Sequence, residues 1–175
     1  MKKSIILFFF LLLPASLFAQ LQIGYVDSET IMDQLPDAQD AQQRIDALIA
    51  EWQEELRNME NDWQKKFDDY ENRKLIMSDQ KRADVEKELI ALENKISNFR
   101  QQKFGPTGEL FKKQTELMEP VQNKVFNIIQ EVAEEKDLDF VFDLSGDIIF
   151  LYAKPEYDIT SLVLEKLEID EVIQN

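Results

Sequence analysis

The feature that most constrains this chain is the stretch from residue 37 to residue 104, which contains neither Gly nor Pro. It is rich in Glu, Gln, Lys, Arg, Ala and Leu, which favour the α-helix. Helix-breaking residues stand only at its ends, at Pro36, Gly105 and Pro106. A compact domain of 175 residues has little use for so long a helical span. The sequence therefore predicts helices that project from a smaller body.

Apolar residues recur along this stretch every seven positions, in two interleaved rows. Such 3-4 spacing is typical of a coiled-coil seam, in which paired helices bury one stripe each. The first seam combines Ala38, Ile45, Trp52 and Met59 with Ile49, Leu56, Trp63 and Tyr70, and the second combines Val85, Leu92 and Phe99 with Leu89 and Ile96. Because the register slips between the two seams, we predict an antiparallel helical hairpin. Its tip should lie near residues 73–79, with Ser78 or Asp79 capping the return helix.

The return helix should break where Phe104 is followed by Gly105, Pro106, Thr107 and Gly108. We expect the helix to resume from Leu110 to Met118. Pro120 then suits the first position of another helical stretch, since its missing N–H is not needed there. The apolar stripe of that stretch consists of Val121, Val125, Ile128, Ile129 and Val132.

Three short apolar runs predict strands, at residues 23–26, 140–144 and 148–152, the last two forming a hairpin. Short helices should cover residues 30–35 and the segment from Asp158 or Thr160 to about Leu167. The strands are apolar at nearly every position and thus have two faces to bury. A closed barrel needs about eight strands, so we predict an obligate homo-oligomer that shares one sheet, with a trimer as the smallest ring and a tetramer left open. The predicted assembly residues are Ile23, Tyr25, Val26, Phe140, Val141, Phe142, Leu144, Ile148, Ile149, Phe150 and Leu151.

The predicted fold class is therefore α+β and mostly α, with a long antiparallel hairpin arm on a small β body shared between subunits. The arm covers residues 37–118, and the body covers residues 20–36 and 119–175. Residues 1–19 have the pattern of a signal peptide, with Lys2 and Lys3 before an apolar core and Ala19 at the cleavage point. An uncleaved anchor is the alternative, but the apolar segment is shorter than the roughly 20 residues that span a membrane.

Composition excludes several classes of function. The chain has no Cys and no His, which removes Cys-His and Ser-His-Asp catalysis, disulfides and the usual zinc sites. It contains no glycine-rich phosphate loop, and its net charge of −15 disfavours nucleic acid as a partner. Asp139, Asp143 and Asp147 do not have calcium-loop spacing and are better explained as turn and strand-end carboxylates. We expect neither an enzyme nor a cofactor or metal.

The order of these segments resembles that of the Skp/OmpH family of periplasmic chaperones. The resemblance rests on the opening strand at residues 23–27, the long hairpin, the segments at residues 120–125 and 139–143, and the closing Asp158, Ile159 and Thr160. It implies a trimer with a small β body from which three helical hairpins project around a cavity. It also implies a periplasmic protein that holds unfolded outer-membrane proteins without ATP.

Client contacts should come from apolar residues that do not belong to either coiled-coil seam. These are Phe67, Leu75, Ile76, Met77, Ile90, Phe104 and Phe111. Phe104 and Phe111 lie on a seven-residue row that continues through Met118 into Val125, so packing core is the alternative interpretation for both.

Basic residues outnumber acidic ones between Lys65 and Arg82, although the chain as a whole is acidic. This balance suits a contact of the arm tip with anionic lipid headgroups, lipopolysaccharide or acidic client segments. A solvated helical face is the alternative, and the overall acidity weighs against a membrane role. The rival function is a structural coiled-coil envelope protein, a spacer or scaffold, which would have few spare apolar residues on its arms.

Overall fold

A computed structural model describes residues 21–146 and 150–174, with side chains described as far as Glu168. The elements, in chain order, are β1 (Ile23–Val26), α1 (Ser28–Gln34), α2 (Pro36–Arg73), α3 (Asp79–Phe104), α4 (Glu109–Glu135), β2 (Phe140–Asp143), a 3₁₀ turn (Pro155–Tyr157) and α5 (Thr160–Gln174). The predicted signal peptide, Asp147, Ile148 and Ile149 lie outside the described residues. Of the helices described, none is long and apolar enough to cross a membrane. The structure confirms a mostly helical α+β fold with long helical arms and a small sheet.

Helix α2 is the longest of the helices described. Pro36 occupies its first turn, and its 38 residues extend about 57 Å at about 1.5 Å per residue. Helix α3 runs antiparallel along its distal half, where the Trp63 indole N–H donates to the Leu89 carbonyl at 3.2 Å. Helix α4 continues the path of α3 along the base of α2, with Lys124 Nζ 3.3 Å from an Asp37 carboxylate oxygen. We use "distal arm" for the two-helix part of this hairpin, residues 52–104.

The tip of the arm is a five-residue turn between Arg73 and Asp79. The Lys74 N–H still donates to the Tyr70 carbonyl at 2.8 Å, so α2 ends with a closed turn. The Ser78 hydroxyl accepts from the Lys81 N–H at 3.3 Å and caps α3. The turn falls in the interval that the register slip predicts, and Ser78 is the capping residue.

The prediction that a new helical stretch begins at Pro120 is wrong, because α4 runs through it without interruption. A proline inside a helix removes one hydrogen bond and costs about 3 kcal/mol. Apolar side chains that are buried on the far side of Pro120, beginning with Val121 and Val125, offset that cost. The break predicted upstream is present, since α3 ends at Phe104 and α4 begins at Glu109.

The last helix is also longer than predicted, since α5 extends to Gln174 instead of ending near Leu167. No Gly or Pro follows Thr160, so nothing in the local sequence stops the helix. At its start, the Asp158 carboxylate accepts from the Thr160 N–H at 2.9 Å.

The described sheet has two strands, and they are parallel. Ile23 pairs with Phe140, and Tyr25 pairs with Phe142. A parallel pair needs a long crossover, which the whole arm provides here. Of the predicted hairpin partner at residues 148–152, only residues 150–152 are described, and they form no strand. Phe150 instead packs its ring against Phe142 in an edge-to-face contact, with ring centroids 5.7 Å apart.

One face of this sheet closes the core of the body. At the edge of this core, Lys166 of α5 forms ion pairs with α4. Its Nζ lies 2.9 Å from Glu131 and 2.6 Å from Glu135. The core is built mainly from α1, α4 and α5 and consists of Val26, Ile31, Leu35, Ala38, Val121, Val125, Ile128, Val132, Ile159, Val163 and Leu167. Each chain therefore has a core of its own, independent of any partner.

Asp143 joins the end of β2 to the start of α1. Its carboxylate accepts from the Ser28 N–H at 3.1 Å and the Ser28 hydroxyl at 2.5 Å, and from the Ser145 N–H at 3.0 Å and the Ser145 hydroxyl at 2.8 Å. Burial raises the pKa of Asp143, but the hydrogen bonds from Ser28 and Ser145 outweigh it, so the pKa lies below its usual value.

This network predicts a loss of stability in acid. A carboxyl with a lowered folded-state pKa stabilises the protein fully above its unfolded pKa of about 3.9, and the contribution disappears as the pH falls through the folded value. We expect Asp143→Asn to lower the free energy of unfolding at neutral pH and to flatten its decline below about pH 4. Urea unfolding at a series of pH values measures both effects. Asp62→Asn, on the exposed face of α2, is the control and should leave the acid decline unchanged.

Candidate functional site

The tip of the arm presents adjacent apolar side chains to solvent. Leu75 is 91% exposed and Ile76 is 86% exposed, while Met77 is half-buried against the hairpin. The turn lies beyond the last residues of both helices, so no other described element covers it. Large apolar side chains that are almost fully exposed on adjacent residues are typical of a contact surface.

The remaining predicted client residues are spread along the hairpin and do not gather at one place. Ile90 is exposed on α3, and Phe111 is 58% exposed at the start of α4. Phe67 is half-buried and stacks on Trp63, with ring centroids 5.1 Å apart and planes 9° apart. The arm therefore offers separate apolar patches rather than one pocket.

Phe104 and Phe111 differ, although both belong to the same sequence row. Phe104 is half-buried and packs its ring edge against Trp52, with centroids 6.1 Å apart. This contact supports the packing interpretation for Phe104. Phe111 lies past the break between α3 and α4 and remains exposed, so it is not core.

The sequence reasoning missed Phe126, which is 59% exposed on α4. A signal was available. The buried row of α4 includes Val125 and Ile128, and a residue directly after Val125 is turned about 100° away from it around the helix. An apolar residue off the buried row of an amphipathic helix is expected at the surface.

The charges near the tip are largely paired within the hairpin. Arg73 lies 2.9 Å from Asp69, Lys74 lies 2.8 Å from Glu71, and Lys66 pairs with Glu88 across the two helices. The hydrogen bond and positive charge of Lys66 lower the pKa of Glu88. Of these three pairs, only Lys66–Glu88 joins the two helices, whereas the other two lie at the end of α2. Exposed pairs of this kind contribute little to stability, but they offset part of the positive charge near the tip.

The second apolar surface is the outer face of the sheet. In a parallel pair, residues that face each other point to the same side, and alternate residues point to opposite sides. Ile23 and Phe140 therefore share this face with Tyr25 and Phe142, while Gly24 and Val26 are buried on the other side. Phe140 is 54% exposed.

The outer face continues into the segment after β2. A cavity of about 600 Å³ opens there, and two of its lining residues, Leu151 and Tyr152, are 96% and 79% exposed. It is lined by Tyr25, Leu144, Gly146, Phe150, Leu151, Tyr152 and Ala153. We use "outer sheet face" for Ile23, Tyr25, Phe140, Phe142 and Phe150 together.

The predicted assembly residues do not all lie on this face. Val26 is buried in the core of its own chain, and Val141 packs against that core. Both therefore serve the individual subunit and are not available to a partner. Their positions in the strands alternate with those of the exposed residues, which is why an apolar run alone did not separate the two faces.

The acidic residues of the body bind backbone amides. Asp139 accepts from the Gln22 N–H at 2.8 Å, and Asp143 has the four donors described above. Within residues 21–146 and 150–174, no group of three or more His, Cys, Asp and Glu side chains is arranged to hold a metal ion. Asp139 and Asp143 accept hydrogen bonds within the body, and Asp147 lies outside the described residues.

The chain is similar in sequence to one protein family and in fold to a solved structure. The sequence matches the family described as "Outer membrane protein (OmpH-like)" over residues 22–167. A similar solved structure is that of a "putative outer membrane chaperone (OmpH-like)" from Caulobacter crescentus, which is 16% identical, with a TM-score of 0.69. The similarity covers 87% of this chain and 86% of that one, and at this identity it shows the fold alone. No curated protein matches the sequence.

Proposed function

This chain belongs to the OmpH-like family of outer membrane proteins, and from that membership we propose that it is an ATP-independent holdase chaperone of the periplasm. In this proposal, a homo-oligomer encloses unfolded outer-membrane proteins between its arms and prevents their aggregation. The observation that carries the proposal is the tip of the arm, where Leu75 and Ile76 are exposed far from the body.

Assembly is supported by the outer sheet face. The inner face of the sheet closes the core of its own chain, whereas the outer sheet face stays partly exposed, with Phe140 54% and Ile23 39% exposed. Apolar area gains about 25 cal/mol per Å² when it is removed from water. A second copy of this chain is a suitable partner for this face, and a ring forms if each copy contacts the next one head to tail and the rotation closes. The trimer rests on the family resemblance and not on the strand count, because the two described strands per chain give a trimer six, fewer than the about eight that a closed barrel needs.

The arms suit the capture of clients without a defined shape. Their exposed apolar residues are dispersed, from the tip through Ile90 to Phe111. Each contact is weak, and the total depends on how many are made at once. An unfolded chain can satisfy such contacts in many arrangements, so neither a specific pose nor nucleotide hydrolysis is needed for release and rebinding.

The direct test is suppression of aggregation. An unfolded outer-membrane β-barrel protein is diluted from urea into buffer with or without the purified oligomer, and light scattering is followed. We expect the oligomer to suppress scattering when it is about equimolar with the client. Unchanged scattering would exclude the holdase proposal and favour the structural spacer. The exposed tip residues argue against a spacer, which needs no spare apolar side chains there.

The arm tip should contribute directly to capture. Because two large exposed side chains lose their apolar contacts, Leu75→Ser with Ile76→Ser is expected to weaken client affinity about tenfold, or about 1.4 kcal/mol. Fluorescence titration with a labelled client measures the effect. Gln80→Ser, a polar change beside the turn, is the matched control and should bind as the unmodified protein does. Equal affinities for both variants would remove the tip from the binding surface.

A further inference from the structure

The return path of the hairpin is interrupted at one level, next to Trp52. Helix α3 ends at Phe104 and α4 begins at Glu109, while α2 continues past this point without a break. The connecting turn is tight: a Cβ at Gly105 would lie 2.3 Å from the Gln101 carbonyl oxygen. Regular helical hydrogen bonds are thus missing from one of the two helices here, which makes this level the weakest against bending.

Lys103 bridges the interruption. Its Nζ lies 4.6 Å from the ring centroid of Trp52 on α2 and 5.9 Å from that of Phe99 on α3. The same Nζ forms an ion pair with Glu109, the first residue of α4. One side chain therefore joins all three helices at the level where α3 and α4 separate.

The lysine end of these contacts is better shielded than the basic residues of the other ion pairs within residues 37–118. The Lys103 side chain is 20% exposed and that of Glu109 is 50% exposed, whereas those of Arg73 and Arg44 are 64% exposed. Shielding from water strengthens both an ion pair and a cation–π contact. The ring of Phe104 packs against Trp52 beside it, so the aromatic contacts and the ion pair act at the same place.

An open cavity of about 400 Å³ lies at the break. It is lined by Asn98, Gln101, Gln102, Thr107, Gly108, Glu109 and Lys112. The cavity-lining residues of α3 are exposed, whereas Ile96 is buried and Phe99 is half-buried. Apart from Gly108, the residues that line the cavity have polar or charged side chains. A bend that narrows or widens the cavity therefore moves mainly polar groups.

We propose that Lys103 is a latch that holds the distal arm in line with α4, and that its release lets the distal arm bend toward the open polar cavity. From Trp52 to Arg73 the moving part of α2 is about 32 Å long at about 1.5 Å per residue, so a small change of angle displaces the tip widely. If the proposed function holds, this bending sets the volume that the arms enclose.

Distance measurement by pulsed electron paramagnetic resonance tests the latch. Because the chain has no Cys, Glu29→Cys in the body and Gln80→Cys near the tip provide the only spin-label sites. Labelled subunits are diluted with unlabelled ones in the assembled protein, without client. Lys103→Met keeps the apolar stem of the side chain but removes its charge. For this variant we expect the distribution of distances between the two labels to be about twice as wide as in the protein with Lys103 unchanged. Glu109→Gln should broaden it less, because the aromatic contacts remain.

The controls separate a latch from a general loss of charge. Lys113→Met breaks an ion pair within α4, where Nζ lies 2.7 Å from Glu116, and should leave the distribution narrow. Lys103→Arg can make both contacts and should restore the narrow distribution. The proposal is overturned if Lys103→Met gives the same distribution as the unmodified protein, or if Lys113→Met broadens it equally. Neither result depends on client binding, so failure of the latch and failure of the holdase proposal are distinguishable.

Discussion

Replacing Phe140 and Phe142 with Asp is expected to convert the assembled protein into folded monomers. Both side chains belong to the outer sheet face, and Phe140 is 54% exposed in the single chain. Burying a Phe contributes about 1.5–3 kcal/mol, and a carboxylate in the same place adds the cost of an unpaired buried charge. Because every subunit carries both changes, the penalty applies at every interface of the ring.

The monomer should remain folded, since the core on the inner side of the sheet does not include these residues. Sedimentation velocity measures the mass, and circular dichroism measures the helix content. Phe111→Asp is the control, because Phe111 is 58% exposed but lies in the arm and not on the outer sheet face. An unchanged sedimentation coefficient for the double variant would show that subunits meet elsewhere. Monomers that still suppress aggregation would instead contradict enclosure as the mechanism.

Leu167→Ala should cost about 3 kcal/mol of unfolding free energy, within the range of 2–5 kcal/mol for buried leucines. Leu167 has an exposure of 0% and lies in the cluster that joins α5 to α4 and α1. Truncation leaves a cavity that rigid neighbouring helices cannot fill. Urea unfolding at one fixed protein concentration measures the loss, since assembly makes stability depend on concentration.

Leu151→Ala provides the matched comparison. Leu151 is 96% exposed in the single chain, so the same chemical change should alter the stability of the subunit by less than about 0.5 kcal/mol. The comparison is made in the Phe140→Asp and Phe142→Asp background, where subunit contacts are removed. Equal losses for the two leucines would contradict the core described above.

The long arm is the part of the fold that local sequence predicts best. The apolar seven-residue repeat of a coiled-coil seam extends over many helical turns, so the helical pattern is supported many times along the arm. Gly and Pro are also absent from residue 37 to residue 104. The slip between Tyr70 and Val85 predicts the tip for the same reason. Pro120 failed as a boundary because the packing of residues after it outweighs the local penalty.

The pairing of the strands was predicted less well than the arm, and the exposure of individual apolar side chains was predicted least well. A run such as residues 140–144 shows that both faces are apolar, but it does not show which strand lies beside it. Phe104 and Phe111 share a sequence row and differ in burial, because one lies before the break in the return path and the other after it. Periodicity describes a helix by itself and carries no information about what stands opposite.

The sequence by itself determined the two long helices of the distal arm, the position of the tip, the break after Phe104 and the absence of thiol and imidazole chemistry, because each depends on neighbouring residues or on composition. Only the tertiary structure decided that β1 and β2 pair in parallel, that Val26 faces inward while Phe140 faces outward, and that Lys103 meets Trp52 and Glu109. Those features join residues far apart in the chain, and their energies depend on packing in three dimensions.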